Sequence, residues 1–252
     1  MRASTGLEAG RDGNGAAARF ATTRWSIVAA AGGEAHAHRR AALEGLCETY
    51  WYPLYAYVRR RGYDADRAQD LTQDFFARFL EKNDVAAARS ERGRFRSFLL
   101  ASMKHFLAND WDREHAAKRG GGKPVLSFDA GAAETRYARE PAHDVTPERI
   151  FDRGWALTVL GEALRALRQR YARDGQERLF EKLKGFITVG HDAPPYEELA
   201  ADLGMNAATV RVAVHRLRQR YRETLRAAVA DTTEEPVDVD AEIQMLFKAL
   251  AS

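Results

Sequence analysis

Apolar side chains recur at spacings of three and four along almost every periodic segment of this 252-residue chain, and alternating runs are close to absent. That period lines one face of an α-helix, whereas a half-buried strand needs a period of two. The expected fold class is therefore all-α. Residues 38–61 read as a helix through Leu43, Leu46, Tyr50, Leu54 and Val58, bent near Pro53 and stopped by Gly62. Asp64 or Asp66 starts a second helix, with Ala68, Leu71, Phe75 and Phe79 as its buried face. On that helix Asp70, Gln73 and Asp74 fall at i, i+3 and i+4 and form one exposed acidic patch. A short helix at 22–28 is anchored by Trp25, and residues 1–21, rich in Gly, Ala and Arg, read as a disordered arm.

The stretch LGMNAATVRVAVHRLRQRYRETLR, Leu203 to Arg226, carries six arginines and one histidine beside a regular apolar stripe. Val210, Val214, Leu217, Tyr221 and Leu225 are the buried side. Arg211, His215, Arg218 and Arg222 run beside it, and Arg216 and Arg220 broaden the basic flank. Just upstream, Pro194 and Pro195 open a helix, and Gly204 sits where a left-handed residue ends it. Asn206 is placed to cap the next helix, and the small Ala200 permits a close crossing. Together these are the parts of a helix-turn-helix whose second helix enters a major groove with its early residues on base edges. A solvated arginine face is the plainer reading, but such faces seldom follow a turn of this kind.

Residues Glu91 to Gly122 mix arginines with more aromatics than a small core needs. Phe95, Phe98, Leu99, Met103 and Phe106 can be buried together, while Arg92, Arg94, Arg96, Lys104, His105, Trp111 and Arg113 cannot all join them. Aromatic rings among cations suit stacking on unpaired bases above a tracked backbone. Between Arg119 and Thr146 the periodicity fails, and the glycine-rich, mixed-charge stretch reads as a linker. Thr146 and Pro147 then cap a long helix through Ile150, Trp155, Leu160, Leu164, Leu167 and Tyr171, followed by another over Gln176–Ile187.

Two helical domains follow, at 22–118 and 147–230, joined by a linker at 119–146 and trailed by a tail at 231–252. Extended, that linker reaches on the order of 90–100 Å at ~3.3–3.6 Å per residue. The tail begins with an acidic arm, and Val239, Ile243, Leu246, Phe247 and Leu250 then share one helical face. This helix either patches a groove of the second domain or lays its acids across the Arg211–Arg222 stripe.

Net charge is only +3, so the local clustering of arginine matters more than the total. Cys47 is the single cysteine and reads as a small buried hydrophobe, which excludes a disulfide framework and suits a reducing cytoplasm. No apolar run approaches ~20 residues, so membrane insertion is not expected. KRGGGKP lacks phosphate-loop spacing and has proline where that motif needs Ser or Thr. The histidines of HAHRR have no partner ligands. The reading is accordingly no enzyme, no metal and no cofactor.

AQDLTQDFFARFL, then GRFRSFLLASMKHFLANDWDR, then the arginine-rich helix-turn-helix resemble, in order and spacing, the two domains of bacterial RNA polymerase sigma factors of the extracytoplasmic-function type. YWYPLYAYVRRRG and TPERIFDRGWAL resemble one branch of that family, and the likeness covers roughly residues 22–228. The resemblance implies core RNA polymerase and promoter DNA as partners, and leaves room for an anti-sigma factor or another regulator. By its implication Asp70, Gln73, Asp74 and Phe76 dock on the polymerase. Arg94, Phe95, Arg96 and Phe98, with a turn around Lys104, His105, Asn109 and Trp111, melt and read the minus-ten element. Many relatives have asparagine where His105 stands, so the resemblance does not carry over which base is captured here. Arg211, Val212, His215 and Arg216 read the minus-thirty-five element, with Asn206 and Thr209 near phosphates. The promoter elements lie roughly 70–90 Å apart at ~34 Å per helical turn, a distance the linker just spans. An autonomous helix-turn-helix repressor or activator is the alternative, but it has no use for the acidic patch.

Overall fold

The computed structural model describes residues 36–81, 95–116, 130–140, 145–187, 195–230 and 238–251. Among them are nine α-helices and no strand: α1 His36–Arg60, α2 Ala65–Glu81, α3 Phe95–Ala116, α4 Ala130–Tyr137, α5 Pro147–Arg173, α6 Glu177–Leu183, α7 Tyr196–Leu203, α8 Ala207–Ala230 and α9 Asp238–Ala251. The all-α expectation holds. The expected helix at 22–28 and the arm at 1–21 lie outside the described residues.

α1 is the central rod. The spacing of its apolar residues predicts one buried face, yet every residue from Tyr50 to Val58 is buried. Five of those residues are aromatic: Tyr50, Trp51, Tyr52, Tyr55 and Tyr57. An aromatic ring buries much apolar area, and a tyrosine hydroxyl at its rim can still find an acceptor, so this stretch of α1 is covered on all sides. α2 packs Ala68, Leu71, Phe75 and Phe79 into the same core, as its period requires.

α5 is a 27-residue helix started by Thr146, whose hydroxyl accepts from Arg149 N at 3.3 Å, with Pro147 in its first turn. Its N-terminal half lies along α1. The approach is close because Gly154 faces Pro53: a Cβ built at residue 154 would sit 3.3 Å from Pro53 Cα.

Two cores result. The larger joins α1, α2 and α3 to Ile150, Phe151, Trp155, Ala156, Val159 and Ala163 of α5, to Leu225 and Val229 of α8, and to Val239 and Leu246 of α9. The smaller holds Leu167, Tyr171, Phe180, Leu183, Phe186, Leu199, Ala200, Val210, Val214 and Leu217. α5 and α8 therefore run through both cores, and the division between cores falls inside these helices rather than in the segment read as a linker.

That segment also carries α4. Alanine-rich and short, it docks on α1 by burying Ala133 and pairing its charges. Glu134 accepts from Arg59 Nε at 3.0 Å and Nη2 at 2.7 Å, and the Tyr55 hydroxyl donates to the same carboxylate. Arg136 lies 3.5 Å from the Tyr52 ring centroid and donates to Gly154 O at 3.1 Å. Mixed charges without an apolar stripe look like solvated linker in sequence; here they find partners on α1 and α5.

Candidate nucleic-acid interface

The helix-turn-helix is built by α7 and α8. Gly204 ends α7 at φ 64°, ψ 32°, a left-handed conformation that any Cβ would strain. Met205 N donates to Ala200 O at 2.9 Å, which tightens the reversal. Asn206 Oδ1 then accepts from Thr209 N at 2.7 Å and from the Thr209 hydroxyl at 2.8 Å, capping α8 as its position predicts. Val210, Val214 and Leu217 are buried, and this rotation leaves Asn206, Thr209, Arg211, Val212, His215 and Arg216 all exposed on the opposite side. Val212 is 49% exposed, an apolar side chain offered to solvent between cations.

The basic flank is narrower than its sequence suggests. Arg218 Nε donates to Phe186 O at 2.8 Å, and Arg220 stacks on Tyr171 at 5.2 Å, so both brace the smaller core. Arg211 meets Glu197 only at 3.7 Å, with both side chains more than half exposed, a contact worth little in water. Arg211, Arg216 and Arg222 remain outward cations, with His215 exposed among them.

On α2, Asp70 is exposed and Gln73 and Asp74 are half-buried, which makes the predicted patch. Phe76 does not belong to it. Its ring is 3% exposed and meets Phe75 edge-on at 5.5 Å, so it fills the chain's own core and is not offered to a partner.

α3 departs further from expectation. Residues 95–116 form one continuous helix, so Lys104, His105, Asn109 and Trp111 lie on helix rather than at a turn. His105 and Asn109 are exposed; Arg94 and the Trp111 side chain lie outside the described residues. Phe95 is 4% exposed, edge-on to Tyr50 at 5.3 Å, and Phe98 packs near Phe79 at 6.3 Å. The Phe95 ring closes the core and is not free to stack on bases, while Phe98 is half-buried at its edge. Arg96 is 6% exposed, and Lys104 Nζ lies 2.8 Å from Glu148 Oε1.

The chain is 25% identical, over 186 residues, to RNA polymerase sigma factor YlaC of Bacillus subtilis, covering 74% of this chain and 93% of that relative. The chain is similar to a sigma factor over most of its length. No family model and no solved structure matches it.

Arg211, Arg216 and Arg222 of α8 thus point outward, while Arg96 and Lys104 of α3 are engaged within the chain. The acids that engage them, Glu148 and Asp152 of α5 and Glu242 of α9, were missed by sequence reasoning. The available signal was the i, i+4 spacing of Glu148 and Asp152 on a helix otherwise read for its apolar positions.

No helix among the described residues is long and apolar enough to cross a membrane.

Proposed function

We propose that the chain is a promoter-specificity subunit of bacterial RNA polymerase, acting by binding rather than by catalysis. The α2 face of Asp70, Gln73 and Asp74 binds the core enzyme. Arg211, Val212, His215 and Arg216 on the early turns of α8 read minus-thirty-five duplex, with Asn206 and Thr209 beside phosphates. The α3 helix, with Arg96, Lys104, His105, Asn109 and Trp111, takes the melted minus-ten strand together with Arg94, which precedes it in sequence.

The observation that carries this reading is the exposed, cation-rich start of α8 behind the Gly204 turn and the Asn206 cap, in a chain similar to a sigma factor. Outward arginines at the first turns of a capped helix have the reach to contact guanine edges.

Reconstitution with core polymerase on fragmented genomic DNA, followed by sequencing of transcript starts, tests it. New starts that depend on the chain, sharing two upstream elements, are expected. Sequence-specific binding without core enzyme and without new starts would point instead to an autonomous repressor or activator.

A further inference from the structure

The tail helix does not lie on the basic flank of α8. Among the described residues, Asp240 pairs with Arg226, beyond the outward cations. α9 instead packs along α5 and α8, with Val239 and Leu246 buried in the larger core. From that seat Glu242, itself 2% exposed, accepts from Arg96 Nε at 2.8 Å. Asp152 of α5 accepts from Arg96 Nη1, and the guanidinium lies over the Trp155 ring at 4.8 Å. Further along α3, Glu148 holds Lys104. Glu148 and Asp152 are one turn apart on α5, so α5 sets one carboxylate against each of two α3 cations.

We propose that α9, together with the first turns of α5, is a built-in competitor for the single-stranded DNA surface of α3. Glu242 and Asp152 hold the Arg96 guanidinium where a phosphate would, and α9 must leave before DNA reaches it. This rests on the assignment of Arg96 to DNA made above.

Guanidinium forms the same charge-assisted fork with carboxylate and with phosphate, so the two partners exclude each other at one set of N–H groups. Burial makes the exclusion complete, because Arg96 has no free face to share. α9 is also built to be released. It is 14 residues long, a length at which an isolated helix is marginal; only Val239 and Leu246 of its apolar side chains are fully buried, Ile243, Ala249 and Leu250 are partly buried against the core, and Phe247 is left 55% exposed. A purely structural ion pair would need none of this, since an apolar trio of the same volume is often at least as stable.

If the open state is about 10% populated, the apparent affinity for DNA is about tenfold below the intrinsic one. The test is binding of a fluorescein-labelled random 12-mer of single-stranded DNA to the full chain, to Glu242→Gln and to Arg96→Ala. Roughly tenfold tighter binding by Glu242→Gln, with loss of binding in Arg96→Ala, is expected. Unchanged affinity in Glu242→Gln with loss in Arg96→Ala overturns the competition alone. Unchanged affinity in both overturns the DNA assignment of Arg96 and the inference with it. Should Glu242→Gln fold poorly, hydrogen exchange of the unaltered chain decides: saturating 12-mer is expected to speed exchange of the α9 amides, and unchanged protection rejects the idea.

Discussion

Gly154 and Gly161 sit in the same helix and have opposite uses. A methyl group at residue 154 would press on Pro53 Cα and the Tyr52 ring, and the nearer of these is helix backbone that cannot swing aside. Alanine there gains about 1 kcal/mol of helix propensity but meets crowding of about 1–3 kcal/mol. Gly154→Ala is expected to lower the melting temperature, whereas Gly161→Ala, with nothing within 4 Å of its Cβ, is expected to raise it. Thermal melts of the two variants side by side check the assignment of the α1–α5 crossing. Asn206 makes a similar point about caps. With its Oδ1 gone, Thr209 N loses the acceptor that fixes the start of α8, and Asn206→Ala should cost ~1 kcal/mol in denaturant unfolding while Asn206→Asp costs less. These positions could be singled out because turn and cap chemistry is local: Gly204, Asn206 and Thr146 act within four residues of themselves. Arg96 and Phe76 could not, because whether a residue on a helix flank is solvated depends on which distant helix arrives there.

At the scale of helices, the two ends of α8 should behave differently. Arg211→Ala or Arg216→Ala is expected to cost roughly 1–3 kcal/mol at one base pair and relax preference there, while Arg222→Ala weakens binding to all sequences alike. A footprinting series with single-base substitutions in the bound site separates the two, and uniform loss for all three would leave only phosphate contacts. α4 offers a pH test. The hydrogen bonds from Arg59, opposed by some desolvation and aided by the Tyr55 hydroxyl, hold the Glu134 carboxyl below its ordinary value of 4.5. A depressed folded pKa gives stability that is present above the ordinary value and lost as pH falls through the folded one. Amide protection of α4 should therefore be level at neutral pH and fall only in acid below that value, and Glu134→Gln should flatten the dependence. The apolar periods of α2 and α8 read correctly from sequence because each has a clear stripe, and that of α5 only in part, since Ile150, Trp155, Leu167 and Tyr171 are buried but Leu164 is 37% exposed. α4 did not, since its attachment is a set of polar contacts to residues 52–59 and 154–158 that no periodicity encodes.

Taken whole, the molecule has two cores that share two helices, and this predicts one unfolding transition. Tryptophan fluorescence, to which Trp51 and Trp155 of the larger core contribute alongside Trp25 and Trp111, and far-ultraviolet circular dichroism should give coincident denaturant curves. Separate midpoints would mean that α5 and α8 do not couple the cores. The shared helix has a further consequence, one of reach. α5 has 27 residues, about 40 Å at ~1.5 Å per residue, with the α3 surface against its first turns and the helix-turn-helix core around its last. The two elements of a promoter lie roughly 70–90 Å apart. In the promoter-binding role proposed above, a fold of this length is a yardstick cut to about half of what it would measure. Straddling both elements there would call for the first half of α5 to come off α1 and expose Ile150, Phe151 and Trp155, at ~1.5–3 kcal/mol for each large side chain returned to water. That cost points to the surface of the polymerase as the partner that would receive what α1 gives up.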